Sequence, residues 1–145
     1  MARLLVGYDG SPPARRAFER ALARANAPGD EILVVSVIPP AVRGSSLSRM
    51  MPVGLELPGS LTGTFEDHAR ERLATLVAEA RKAGAKVEGE VRAGSPVDAI
   101  LTAAREHKAD EIILGVKSYE GPEAGLGPNA TEIAQKAKIP VTLVP

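Results

Sequence analysis

The sequence predicts an α/β protein: a parallel β-sheet with helices on both faces. Three observations predict it. Short apolar runs such as Leu4-Leu5-Val6 and Ile112-Ile113-Leu114 are bounded by turn residues, which suits strands buried on both faces. Longer segments between them carry apolar residues at helical spacing. The two kinds of segment alternate as β-α-β-(loop)-α-β-α-β-α-β, and that alternation implies parallel strands joined by right-handed crossovers.

The first run ends in Gly7-Tyr8-Asp9-Gly10. Ser11-Pro12 then reads as an N-cap followed by proline at the first helical position. Ala14, Ala17, Phe18, Ala21, Leu22 and Ala25 supply the buried stripe of that helix, and Pro28-Gly29 stops it. Ile32 to Ile38 is a second buried strand, ended by Pro39-Pro40. Residues 41–64 are rich in Gly, Ser and Pro, show no period and exceed an ordinary connection, which reads as a lid, a partner surface, a partly disordered stretch or a mobile insertion without a role of its own. Met50-Met51 within it would serve as an adaptable contact or simply pack the loop.

Thr64 with Asp67 forms a capping-box pattern that would start the next helix. Phe65, Ala69, Leu73, Leu76, Val77 and Ala80 give that helix its stripe, and Gly84 is its natural stop. Val87 to Val91 alternates apolar and charged residues, as a strand near a sheet edge does. Gly94-Ser95-Pro96-Val97-Asp98 repeats the Ser-Pro helix start, and Val97, Ile100, Leu101 and Ala104 form its buried side. Ile112–Leu114 and Val141–Val144 complete five strands in one domain spanning 1–145.

Composition removes several function classes. Apolar residues make up 44% and aromatics only 3%, so Ala, Val, Leu and Ile must build the core. Lys+Arg and Asp+Glu are both 18, a balance with no footprint for nucleic acid or a membrane surface. The absence of cysteine excludes disulfides, Cys-ligated zinc and thiol catalysis. His68 and His107 sit in charged helical segments at no metal-ligand spacing, so no metal site is expected. No run is long enough to span a bilayer or serve as a signal peptide, and the expected location is cytoplasmic.

Chemistry concentrates in Glu111–Lys136. A buried strand leads into a loop carrying Gly115, Gly121, Gly125 and Gly127, and an amphipathic helix starts near Asn129. Strand, Gly-rich loop and helix N-terminus form a phosphate cradle, because close backbone N–H groups and a positive dipole end face the anion. Against it stand Pro128, which has no N–H, and Glu120 and Glu123, which repel phosphate. In open α/β sheets ligands sit at the carboxyl ends of the strands. Asp9, the backbone near Val37, Gly94 and the Gly-rich loop would meet there.

These residues together resemble the universal stress protein family over nearly the whole chain. LLVGYDGSPPARRAFERAL resembles the family's first strand with its Asp turn, and ILVVSVIPP the second strand. VRAGSPVDAILTAAREHKADEIILG resembles the third strand, the Gly-x-Pro helix and the fourth strand, and KIPVTLVP the fifth. The resemblance implies a Rossmann-like, adenine nucleotide alpha hydrolase-like sheet of order 3-2-1-4-5 and a homodimer through the last strand. It also implies ATP or AMP as ligand, with Mg only alongside ATP. Family members that bind ATP carry Gly-x-x-Gly, nine residues, then Gly-Ser or Gly-Thr. Here Gly115 matches, Ser118 replaces the second glycine, and Pro128-Asn129 replace the last pair. By this correspondence Asp9 and the Val37 backbone face adenine or ribose, and Gly115 lies near the ribose. Ser118, Asn129 and Thr131 face the phosphates.

Each site residue also has a plainer reading. Asp9 would cap the first helix as a turn residue. Asn129 with Glu132 would be a capping box. Ser118 would be a turn serine, and Lys117 an exposed loop cation. No Ser-His-Asp set or paired carboxylate presents itself. The expected role is nucleotide binding in a stress-response protein, with slow ATP hydrolysis at most. The alternative is a family member without nucleotide, acting through protein contacts.

Overall fold

The computed structural model describes residues 1–38, 60–116 and 128–145, with 60–65 and 128 described in backbone only. In chain order the elements are β1 (Arg3–Gly7), α1 (Pro12–Arg24), β2 (Glu31–Ile38), α2 (Ser60–Lys82), β3 (Val87–Ala93), α3 (Pro96–Glu106), β4 (Glu111–Gly115), α4 (Pro128–Lys136) and β5 (Val141–Val144). The five strands form one parallel sheet in the order β3-β2-β1-β4-β5. Strand order reverses between β1 and β4, so the chain parts there at the carboxyl ends.

Alternation along each strand fills two apolar layers. Leu4 and Val6 face α1 and α2, where Phe18, Leu73, Leu76 and Ile113 are buried. Leu5 and Val35 face α3 and α4, with Val97, Ile100, Ile112 and Ile133. Phe18 is among the largest side chains fully buried. Burying such a ring is worth about 1.5–3 kcal/mol. Of the expected stripes, Ala14, Ala17, Phe18 and Ala21 in α1 and Ala69, Leu73, Leu76, Val77 and Ala80 in α2 are buried, with Leu22 and Ala25 half-buried; Phe65 lies outside the described side chains.

The helix starts divide into two groups. Ser11 caps α1 as its sequence predicts: its Oγ accepts from Ala14 N–H at 3.3 Å and its carbonyl from Arg15 N–H at 3.0 Å. Ser95 holds the cap position of α3, but its side chain makes no capping bond. The capping box expected at Thr64 and Asp67 does not start α2, which begins at Ser60. Extending the helix back through Gly63 costs about 1 kcal/mol of propensity, and the added backbone bonds outweigh it. The segment expected to be loop over 41–64 is therefore helical from 60, and the rest of it, with Met50-Met51, lies outside the described residues.

Asn129 does not cap α4 either. Pro128 takes the first helical position, where a missing N–H costs the helix nothing. Asn129 lies inside the first turn, and Glu132 accepts from Lys136 Nζ at 2.7 Å instead of reaching back. His107, read from sequence as part of a charged helical segment, is half-buried at the end of α3, with its Nε2 3.1 Å from Glu90 Oε2.

Candidate functional site at the carboxyl end of the sheet

Register fixes which residues share the rim. Gly7 pairs with Val35 on one side and Leu114 on the other. Asp9 lies two residues past the end of β1, Val37 lies in the last part of β2 and Val116 directly follows β4, so all three sit at the carboxyl end of the sheet. Tyr8 N–H donates to the Val35 carbonyl at 2.8 Å, so Val35 turns its backbone polar groups toward β1. By the two-residue alternation of a strand, Val37 turns its own N–H and carbonyl the same way, past the point where β1 has ended. A planar ligand seated there would meet one backbone donor and one backbone acceptor.

Asp9 is exposed, and its Oδ1 accepts from Ser11 N–H at 2.9 Å. The turn-capping role is thus present. Among the described residues only this oxygen is engaged, and the Ser11 bond holds the carboxylate in place. Ser36 stiffens the same corner: buried at 5% exposure, it donates its hydroxyl to the Tyr8 carbonyl at 2.8 Å. Sequence reading passed over Ser36, although a serine inside an apolar strand run was the available signal, since a buried hydroxyl needs a partner.

Gly115 ends β4 against the start of α1. A Cβ built there would lie 2.2 Å from the Pro13 carbonyl carbon and 2.4 Å from Ala14 N, both backbone atoms. Close packing of helix on strand therefore already requires this glycine. Val116 N–H continues the ladder to the Val144 carbonyl at 2.8 Å.

Sequence reading also missed Arg72. From α2 its guanidinium lies over Gly10, where a Cβ would be 2.5 Å from Nη1. Among the described residues Arg72 has no ion-pair partner, and it lines a cleft with Tyr8 and Arg15. No local pattern in the sequence announces it, because only the packing of α2 brings it to the turn.

Asn129 and Thr131 are exposed in the first turn of α4. The sheet brings Asp9, Val37 and Gly115 to one end. Ser118, Lys117, Glu120, Glu123 and the later glycines lie outside the described residues. Beside the crevice, a cavity of about 540 Å³ is lined by Gly94 and Ser95 on one side and by Glu90, Arg92 and Glu106 on the other. Glu106 chiefly, with Glu90 at 2.9 Å, holds the Arg92 guanidinium above its usual pKa, and Arg92 in turn holds the Glu106 carboxyl below the usual range. Among the described residues no cluster of His, Asp and Glu forms a metal site, and no helix is long and apolar enough to cross a membrane.

A 3-2-1-4-5 parallel sheet with an acidic turn at its switch point defines an open, Rossmann-like α/β class. Within that class the chain belongs to the universal stress protein family, whose profile matches residues 1–145. A universal stress protein of Thermus aquaticus is 30% identical over 148 residues, covering 97% of this chain and 96% of that one. The universal stress protein from Archaeoglobus fulgidus, solved in complex with dAMP, shares the fold at a TM-score of 0.71 and 24% identity, covering 100% of this chain and 98% of its own. A family member from Arabidopsis thaliana, solved with AMP bound, does so at 0.66 and 20%, covering 99% and 91%.

Proposed function

We propose that the protein binds an adenine nucleotide at the crevice between β1 and β4 and acts as a cytoplasmic stress-response homodimer. The observation that carries this reading is the gathering of Asp9, Val37 and Gly115 at the carboxyl ends of β1, β2 and β4. Asp9 takes a ribose hydroxyl or the adenine amino group, and the Val37 backbone pairs with the base edge. Gly115 lies against the ribose. Ser118, Asn129 and Thr131 face the phosphates, where Pro128 contributes no N–H. Binding of AMP and dAMP by the Arabidopsis and Archaeoglobus proteins supports the adenine assignment. Mg enters only with ATP, and no residue is assigned to catalysis. The dimer forms through β5, an edge strand whose half-buried Val141 and Leu143 invite a partner. The departures at Ser118 and Pro128-Asn129 favour a second reading, a family member that works by protein contact without nucleotide.

Calorimetric titration of adenosine, AMP and ATP into the protein and its Asp9→Ala variant tests this, with light scattering on the same samples. Asp9→Ala should weaken all three ligands alike, by about one to two decades, the worth of a hydrogen bond to a charged group. A loss confined to ATP overturns the Asp9 assignment. No heat from any of the three ligands turns the reading to the protein-contact alternative.

A further inference from the structure

Away from the crevice, at the end of the sheet where β4 and β5 begin, the groove between α3 and α4 opens into a cavity of about 520 Å³. That falls within the range of small-molecule sites, about 300–1,000 Å³. Its apolar side is formed by the half-buried Leu101, Ala137 and Ile139, with Ala104 and Ile112 buried behind them. Its charge is one-sided: Arg105, Lys108, Lys136 and Lys138 stand against Asp98 alone among the described lining residues.

The backbone supplies a second observation. Two helices end with the same bond pattern, Ala85 N–H to the Ala80 carbonyl at 3.1 Å for α2 and Ala109 N–H to the Ala104 carbonyl at 2.9 Å for α3. This terminus needs a left-handed residue, for which glycine is suited. At α2 it is Gly84, with φ 91°; at α3 it is Lys108, with φ 53°. Among the described residues Lys108 is the only non-glycine with positive φ. A strained position therefore carries a cation at the cavity wall, and a strained residue kept where glycine fits points to a function. Lys136 is bonded to Glu132, and Arg105 Nη2 donates to Thr102 Oγ1 at 3.3 Å. Lys108 and Lys138 have no ion-pair partner among the described residues.

We infer that this groove binds a medium-chain fatty acid, with the alkyl chain against Leu101, Ala137 and Ile139 and the carboxylate held by Lys108 and Lys138. An apolar side suits the chain, and two uncommitted ammonium groups suit a compact anionic head. The inference is independent of the nucleotide reading, because the cavity shares no lining residue with the rim.

The test is titration with dodecanoate below its micellar concentration. It should saturate at one per chain, and ATP should not displace it. Dodecanol, with the same chain and no charge, should bind at least about tenfold more weakly, as expected when a charged hydrogen bond is lost. Decanoate should also fall about tenfold, since each methylene is worth about 0.8 kcal/mol. Lys108→Gly should raise Tm by relieving the backbone, yet weaken dodecanoate by about tenfold. Ala137→Leu, at a half-buried wall position, should weaken it by narrowing the groove. Equal affinity for dodecanol, non-saturating binding, or unchanged affinity in Lys108→Gly would each overturn the inference. So would an Ala137→Leu protein that turns monomeric while dodecanoate fails to bind the parent, because the groove would then belong to a second copy.

Discussion

The two ends of the sheet use their charged side chains differently. At the amino end the acids are committed to the protein itself. Asp30 accepts from Ala2 N–H at 2.7 Å and from Ala27 N–H at 3.1 Å. Asp110 accepts from Arg3 N–H at 2.8 Å. Glu111 takes Arg24 and, at 3.0 Å, the Thr142 hydroxyl, joining α1, β4 and β5. At the carboxyl end Asp9 uses one oxygen, within its own turn, and Arg72 has no ion-pair partner among the described residues. Polar groups satisfied across long chain separations hold the fold at one end. At the carboxyl rim, Asp9 and Arg72 carry groups that the fold does not use up. Carboxyl ends of parallel strands suit that division, because the loops there can vary while the sheet beneath is buried.

Gly115 tests the division most severely, because it is a structural requirement at the carboxyl end. Gly115→Ala forces a Cβ into the backbone of Pro13 and Ala14, which cannot swing away as a flexible side chain would. A loss of about 3 kcal/mol is expected, the upper part of the usual overpacking range, read by chemical denaturation. A neutral result would mean that α1 can back away from β4, and the crevice would not be as rigidly framed as its packing implies.

The next comparison sets two acids side by side. Glu111, whose side chain is 11% exposed, should cost about 1–3 kcal/mol when replaced by alanine, because Thr142 and Arg24 lose their acceptor. Asp9→Ala should change stability by only about 0.5 kcal/mol, as surface changes usually do. Equal losses in the two variants would erase the distinction between the ends.

The sequence carried the sheet more fully than the site. Strands were legible because Leu4-Leu5-Val6, Ile32–Ile38 and Ile112–Leu114 are apolar runs with sharp ends, and burial on both faces leaves few other readings. The 3-2-1-4-5 order came from resemblance, since alternation alone does not say which strands are neighbours. Helix starts were less legible. Ser11 caps α1, whereas Thr64 and Asn129 carry equally good capping patterns inside helices that begin earlier. A capping pattern is worth about 1 kcal/mol, an amount that a further turn or a proline at the first position can outweigh. In the site, Asp9 and Val37 were legible as strand ends. Ser36 and Arg72 were not, because what matters about them is a contact with the β1 turn made from another element.

The smallest expected effect lies at the amino end and depends on pH. Hydrogen bonds from the Ala2 and then the Ala27 N–H groups hold the Asp30 carboxyl below its ordinary pKa. The folded state therefore binds this proton more weakly than the unfolded chain. Stability from Asp30 is fully present above the unfolded value, about 3.9, and is lost as pH falls through the folded value. Asp30→Asn keeps one acceptor oxygen and removes the titration. The parent should be the more stable of the two at neutral pH, and their gap in urea midpoint should close as pH drops below about 4. Because Asp30 is only half-buried, the gap at neutral pH should be smaller than that of Glu111→Ala. A gap that persisted undiminished at about pH 3 would place the anchoring of β1 in hydrogen bonding that needs no charge, and the amino end would then owe its hold to geometry more than to its acids.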